Sequence, residues 1–170
     1  RIIIINGLSK GYAMTGYRLG YIAAHPDVIK ACEKLQGQYT SGTNAVTQRG
    51  AIEALTGDLK PSVEMNKEFG RRRERMLQLL KAIPGIQIAE PDGAFYVFPV
   101  VTAYFGKKNG EEVIKDADDL CMYLLNNAHV STVTGRAFGE PTCIRISFAN
   151  SMEKIESAMQ RISDALKKLS

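Results

Sequence analysis

Lys10 and Arg18 stand eight positions apart in Asn6-Gly7-Leu8-Ser9-Lys10-Gly11-Tyr12-Ala13-Met14-Thr15-Gly16-Tyr17-Arg18-Leu19-Gly20, a stretch interrupted by glycines. A lysine amine condenses with an aldehyde, and an arginine fork grips a phosphate through paired hydrogen bonds. A single loop lysine is most often a solvated cation, and a single strand arginine most often a surface residue. Found together around a turn, they point to one ligand that carries both an aldehyde and a phosphate. Pyridoxal phosphate is such a cofactor.

The flanking residues say how the pair would be held. Ile2 to Ile5 is a β-branched apolar run that predicts a buried, parallel strand covered on both faces. Asn6-Gly7 ends that run, so Lys10 follows a strand end, where open α/β sheets place ligands. A second strand is expected from Tyr17, with Tyr17, Leu19 and Tyr21 on one face and Arg18, Gly20 and Ile22 on the other. Gly20 beside Arg18 would let another group approach the backbone.

A second candidate lies near the other end. Thr142-Cys143-Ile144-Arg145-Ile146-Ser147-Phe148-Ala149 alternates, so Ile144, Ile146 and Phe148 face a core while Arg145 and Ser147 point away. By itself Arg145 could be an ordinary solvent-facing residue.

Both motifs resemble the class I and II aminotransferases, the fold type I pyridoxal-phosphate enzymes, and most closely their bacterial aspartate aminotransferase branch. The likeness is carried by Asn-Gly-x-Ser-Lys, by Met-Thr-Gly-x-Arg-x-Gly-Tyr and by Arg-Ile-Ser-Phe-Ala, and it runs over essentially the whole chain. It implies that Lys10 carries the cofactor as a Schiff base and moves a proton, that Arg18 binds the cofactor phosphate, and that Arg145 grips the substrate α-carboxylate. Many members have a phosphate-binding serine three residues before the lysine; here that position is Gly7, and Ser9 stands nearby as the candidate substitute. Arg136, on the Gly-rich approach to the Arg145 strand, is expected to be a solvated loop residue rather than a second carboxylate clamp.

The fold implied is α/β: the C-terminal part of a fold type I transferase. Residues 1–58 would be the tail of the large cofactor-binding domain, 59–83 the connecting helix and 84–170 a small α+β domain. The activity implied is amino transfer, aspartate-type, between an amino acid and a 2-oxo acid, in a cytoplasmic homodimer. Residue 1 is Arg and an apolar run begins at once, so the chain reads as cut from something longer. The fragment alone would then lack the upstream part of the active site and be inactive. It would also have a first third that is displaced or pairs with another copy. Alternatives are another fold type I enzyme (a carbon–sulfur lyase, or an aromatic or alanine aminotransferase) and the cofactor-sensing domain of a transcription regulator.

Composition excludes little but agrees. The chain has 170 residues, 45% hydrophobic and 24% charged, with a net charge of +4, ordinary for a soluble domain. No apolar run approaches membrane length. Arg71-Arg72-Arg73 lies in a helical pattern and reads as its solvated face, so neither a membrane nor a nucleic-acid partner is expected. Cys32, Cys121 and Cys143 match no metal or disulfide spacing, and His25 and His129 read as structural.

Helices are expected from Pro26 (Val28, Cys32, Leu35, Tyr39), over the Ala45, Gln48, Ile52, Leu55 stripe, and from Lys60 to Ile83 (Phe69, Met76, Leu80, Ile83). Two further helices are expected at Ala117–Ala128 and along Ile155, Met159, Ile162, Leu166 and Leu169, the last capped by Asn150 with Glu153. Short strands are expected at 86–89, 94–98, 130–133 and 143–149, and a mobile polar loop at 105–115.

Overall fold

A computed structural model describes residues 2–170 and divides the chain into two compact units, one up to Asn66 and one from Lys67 to Ser170. The first unit holds strands β1 (Ile4–Gly7) and β2 (Gly20–Ala23), then helices α1 (Pro26–Tyr39) and α2 (Ala45–Thr56). β1 and β2 pair antiparallel with Ile4 opposite Ala23 and Gly7 opposite Gly20. The expected buried parallel strand is therefore corrected on both counts. The ladder runs through Asn6-Gly7 instead of stopping there, and every residue of β1 and β2 is exposed. Among the described residues these two strands pair only with each other, and their apolar faces find no cover in the first unit.

Arg18 is corrected as well. Thr15–Tyr17 is a turn of 3₁₀ helix, and Arg18 ends it in the left-handed region with φ 55°, so it does not share a strand face with Gly20 and Ile22. The space at Gly20 is used by the chain itself: a Cβ there would sit 3.1 Å from the Asn6 carbonyl oxygen.

The helices of this unit form where expected but bury other faces. His25 caps α1, its Nδ1 accepting from the Asp27 amide, and Asn44 caps α2 through the Thr47 amide. Yet α1 buries nothing, and Tyr39 is 85% exposed. On α2 the buried residues are Thr47 and Ala51, while Ile52 and Leu55 of the expected stripe face outward. The unit's buried apolar cluster is small: Leu8, Met14 and Ala51, with Tyr12, Leu19 and Ala54 against it.

The second unit is built around a true core. Helix α3 (Lys60–Lys81) supplies Met76, Leu77 and Leu80. Strands β3 (Tyr96–Val97), β6 (Val133–Thr134) and β7 (Ile144–Ser147) form an antiparallel sheet in the order β3-β7-β6. Helices α4 (Ala117–Ala128) and α5 (Met152–Leu166) pack together, and Tyr123 of α4 donates its hydroxyl to the Ala165 carbonyl of α5 at 2.9 Å. The stripe Ile155, Met159, Ile162, Leu166 and Leu169 is buried as expected.

Four local expectations change. Of 86–89, Gln87 alone makes a bridge, to Val100. The supposed loop at 105–115 contains a hairpin, β4 (Lys108–Asn109) and β5 (Glu112–Val113), turned at Gly110 with φ 62° and followed by the fully buried Ile114. Ser151, not Asn150, caps α5 by accepting from the Lys154 amide. Arg72 and Arg73 are also only partly solvated: Arg72 pairs with Glu68 and lies over the Phe69 ring, and Arg73 donates to the Pro91 carbonyl. Among the described residues no helix is long and apolar enough to cross a membrane, and no group of three acidic, His or Cys side chains could hold a metal.

Candidate active site

The turn carrying Lys10 is pinned at both ends. Leu8 and Met14 are buried, and backbone bonds run from Leu8 to the Leu19 carbonyl, Tyr12 to Leu8 and Ala13 to Lys10. Between the anchors, Ser9 is half-buried and Lys10 exposed. They line a cavity of about 510 Å³ with Asn6, Gly7, Leu8, Gly11, Tyr12, Tyr21 and Leu55. A Cβ on Gly11 would meet nothing within 4 Å, so the backbone beside Lys10 borders open space.

Helix α2 fixes the neighbouring turn. The buried Thr47 hydroxyl donates to the Tyr17 carbonyl at 3.1 Å, one residue before Arg18. Arg18 donates one of its five N–H groups to the Thr15 carbonyl at 3.0 Å, which curls the exposed side chain back over its own turn. Arg18 is not among the cavity-lining residues, so the structure brings Ser9 and Lys10 together and leaves Arg18 on the adjoining turn.

Arg145 lies in the second unit, at the centre of β7 opposite Val133 of β6. Its guanidinium carbon is 4.4 Å from the Tyr96 ring centroid and 4.3 Å from that of Phe138. Two aromatic rings thus lie within cation–π range of the same cation. Among the described residues its guanidinium makes no hydrogen bond and no ion pair, which leaves the in-plane N–H edges for an anion. Ser147, on the same strand face, is exposed.

Arg136 is exposed, as expected of a solvated residue, and is also ion-paired. It pairs with Asp116 at 2.9 Å and Asp118 at 2.8 Å, at the N-terminus of α4. Backbone N–H groups of Asp119 and Asp118, with Arg136 beside them, hold the Asp116 carboxyl below its ordinary pKa. Burial pushes the Cys143 and Cys121 thiols up, away from the reactive thiolate form. Sequence reasoning missed Tyr21, Leu55 and Phe138. The first two reach the cavity without any local signal, whereas Tyr96 ends Gly93-Ala94-Phe95-Tyr96, a stretch that resembles a strand entry near the substrate in the family.

The model for "Aminotransferase class I and II" matches residues 1–162. The chain belongs to the class I and II aminotransferases. It is 43% identical over 172 aligned residues to a bifunctional aspartate aminotransferase and glutamate/aspartate-prephenate aminotransferase of Petunia hybrida, covering 98% of this chain and 36% of that protein. It is 39% identical to an aspartate aminotransferase of Rhizobium meliloti, covering 100% of this chain and 42% of the relative. The crystal structure of the Rhizobium meliloti aspartate aminotransferase superposes with a TM-score of 0.95, over 99% of this chain and 42% of that one. An aromatic aminotransferase from Pyrococcus horikoshii superposes at 0.86 with 35% identity, over 97% and 43% of the two chains. The fold is thus a part of the fold type I aminotransferase architecture, and the chain spans about two fifths of the length of these aminotransferases.

Proposed function

We propose that this chain supplies the lysine and the carboxylate anchor of a pyridoxal-phosphate-dependent aspartate-type aminotransferase, moving an amino group between an amino acid and a 2-oxo acid in a cytoplasmic homodimer. In this reading residues 1–58 are the tail of the cofactor domain, 59–83 the connecting helix and 84–170 the small domain. The observation that carries it is the Lys10 side chain, presented by a turn pinned at Leu8 and Met14, on the wall of a 510 Å³ cavity.

The residues fit the cofactor. The Lys10 amine suits an aldehyde, the cavity has open backbone at Gly11, and Ser9 and Arg18 would hold a phosphate on the two adjoining turns. When bound, pyridoxal phosphate supplies a conjugated ring able to take up the electron pair left at the substrate α-carbon. The chain's own contributions are two. Lys10 would hold the cofactor, and its amine would move the proton at the substrate α-carbon. Arg145, whose guanidinium has no hydrogen-bond or ion-pair partner among the described residues, binds the α-carboxylate and so fixes which α-carbon bond is presented for cleavage. The aspartate preference is supported by relatives named aspartate aminotransferases.

Borohydride reduction in the presence of pyridoxal phosphate tests the lysine. Peptide mapping should find the reduced pyridoxyl group on Lys10, and Lys10→Ala should lose it. A label spread evenly over surface lysines in both proteins would overturn the assignment. For the activity, the longer protein that contains this chain should transfer amino groups from aspartate to 2-oxoglutarate. Cofactor binding without transfer to any 2-oxo acid would favour the sensor alternative.

A further inference from the structure

The Arg145 guanidinium is held by two rings that reach it from different elements. Tyr96 comes from β3, where it pairs across the sheet with Ser147, two residues beyond Arg145. Phe138 is the last residue of the 3₁₀ turn Gly135–Phe138, which lies between β6 and β7. Phe138 is itself met edge-on by Phe98, at 6.2 Å between centroids and 84° between planes. A third aromatic side chain therefore keeps the second ring in place.

The turn that carries Phe138 is tightly fixed. Its Gly135 amide donates to the Cys143 carbonyl at 2.8 Å, and the Glu140 amide donates back to Gly135 at 3.0 Å. A Cβ at Gly135 would collide with the carbonyl oxygens of Glu140 and Cys143, so glycine is required there. Thr134 caps the turn, Gly139 closes it with φ 82°, and Arg136 ties it to Asp116 and Asp118 at the start of α4. Phe138 remains 49% exposed despite this bracing. An exposed ring on a braced turn, stacked on a cation without a carboxylate partner, is placed to serve that cation.

We propose that Phe138 is a positioning residue for carboxylate recognition, forming with Tyr96 an aromatic clamp that fixes the plane of the Arg145 guanidinium. The clamp acts through Arg145. An unclamped arginine samples many rotamers and must order itself on each encounter; a clamped one has been ordered in advance. Rings at cation–π distance also favour an approach edge-on in the guanidinium plane, the geometry of a bidentate carboxylate pair. The proposal rests on the reading of Arg145 as the carboxylate anchor.

The test is a titration of the isotope-labelled chain with succinate, followed at the Arg145 Nε–H resonance. In the wild type the Arg145 side-chain protons should be shifted upfield by the two rings, and Nε–H should move on addition of succinate. Phe138→Leu should lose part of the ring shift and weaken succinate binding about tenfold, the loss of one cation–π contact. Phe138→Tyr and Phe138→Trp should restore binding to within about twofold of wild type. Amide spectra of α4 and α5 report whether each variant is folded; should Phe138→Leu unfold the chain, Tyr96→Leu removes the other ring and carries the same expectation. A folded leucine variant that binds succinate as tightly as wild type overturns the clamp. Arg145→Gln that binds as tightly as wild type, or a wild-type Nε–H that does not respond, overturns the reading of Arg145 beneath it.

Discussion

The two units of this chain put their apolar residues to opposite uses. From Lys67 onward, large side chains such as Leu80, Tyr123 and Phe148 are buried in one continuous cluster. Up to Asn66, Ile2, Ile5, Leu35, Tyr39 and Val46 are exposed, and the buried apolar cluster is Leu8, Met14 and Ala51. The candidate lysine belongs to the second kind of region and the candidate carboxylate anchor to the first. The contrast teaches that the position of Lys10 depends on two or three local anchors, whereas the position of Arg145 draws on a whole core.

The largest expected effects break the core that Arg145 relies on. Leu80→Ala should cost about 2–5 kcal/mol, because it leaves a cavity in a fully buried site. Denaturant unfolding followed by a probe in α5 measures it; a loss under about 1 kcal/mol would mean the core is looser than its burial implies. Gly135→Ala should come next, at about 2 kcal/mol or more, with the Phe138 and Arg145 resonances displaced first. Native-state hydrogen exchange then compares the regions directly. Amides of β1 and β2 should exchange at least about a hundredfold faster than those in the middle of α4 and α5. Equal protection would show that the exposed isoleucines are covered in solution. Ile5→Thr sharpens that point: with Ile5 78% exposed, the change should alter stability by no more than about 0.5 kcal/mol.

The smallest effect is a pH dependence confined to one helix start. The Asp116 carboxyl lies below its ordinary pKa, so its stabilising contribution is complete above the ordinary value and is lost as pH falls through the lowered one. Acidification below about pH 4 should therefore loosen the first turn of α4 and the Arg136 tie before it affects the middle of α5. In Asp116→Asn that early step should vanish, as followed by amide shifts across the titration.

What could be read from residue order follows the same division. The bounds of α4 and the five-residue stripe of α5 were legible because the core that selects them lies in their own unit. So was the inward alternation of Ile144, Ile146 and Phe148. Ile52 and Leu55 misled because the larger apolar face of α2 is the outer one, while the inner contact uses small Thr47 and Ala51. Arg18 was misplaced on a strand because positive φ at Ala13 and Arg18 is not announced by either residue type. At the candidate site, Lys10 stood out from a Gly/Ser-flanked turn, while Ser9 and Arg145 became candidates only through the resemblance to the family. The Phe138 ring beside Arg145 could not be found, since stacking across elements leaves no periodic trace in the order of residues.

The free thiols turn the contrast into a measure of time. Cys32 is exposed on α1 of the first unit, and Cys143 is buried beside β7 in the second. An alkylating reagent should reach the exposed Cys32 directly, whereas Cys143 must wait for the sheet to open. One chain thus contains a fast and a slow chemical clock, so a single reaction followed by mass would report how often the core opens while the surface stays freely reactive.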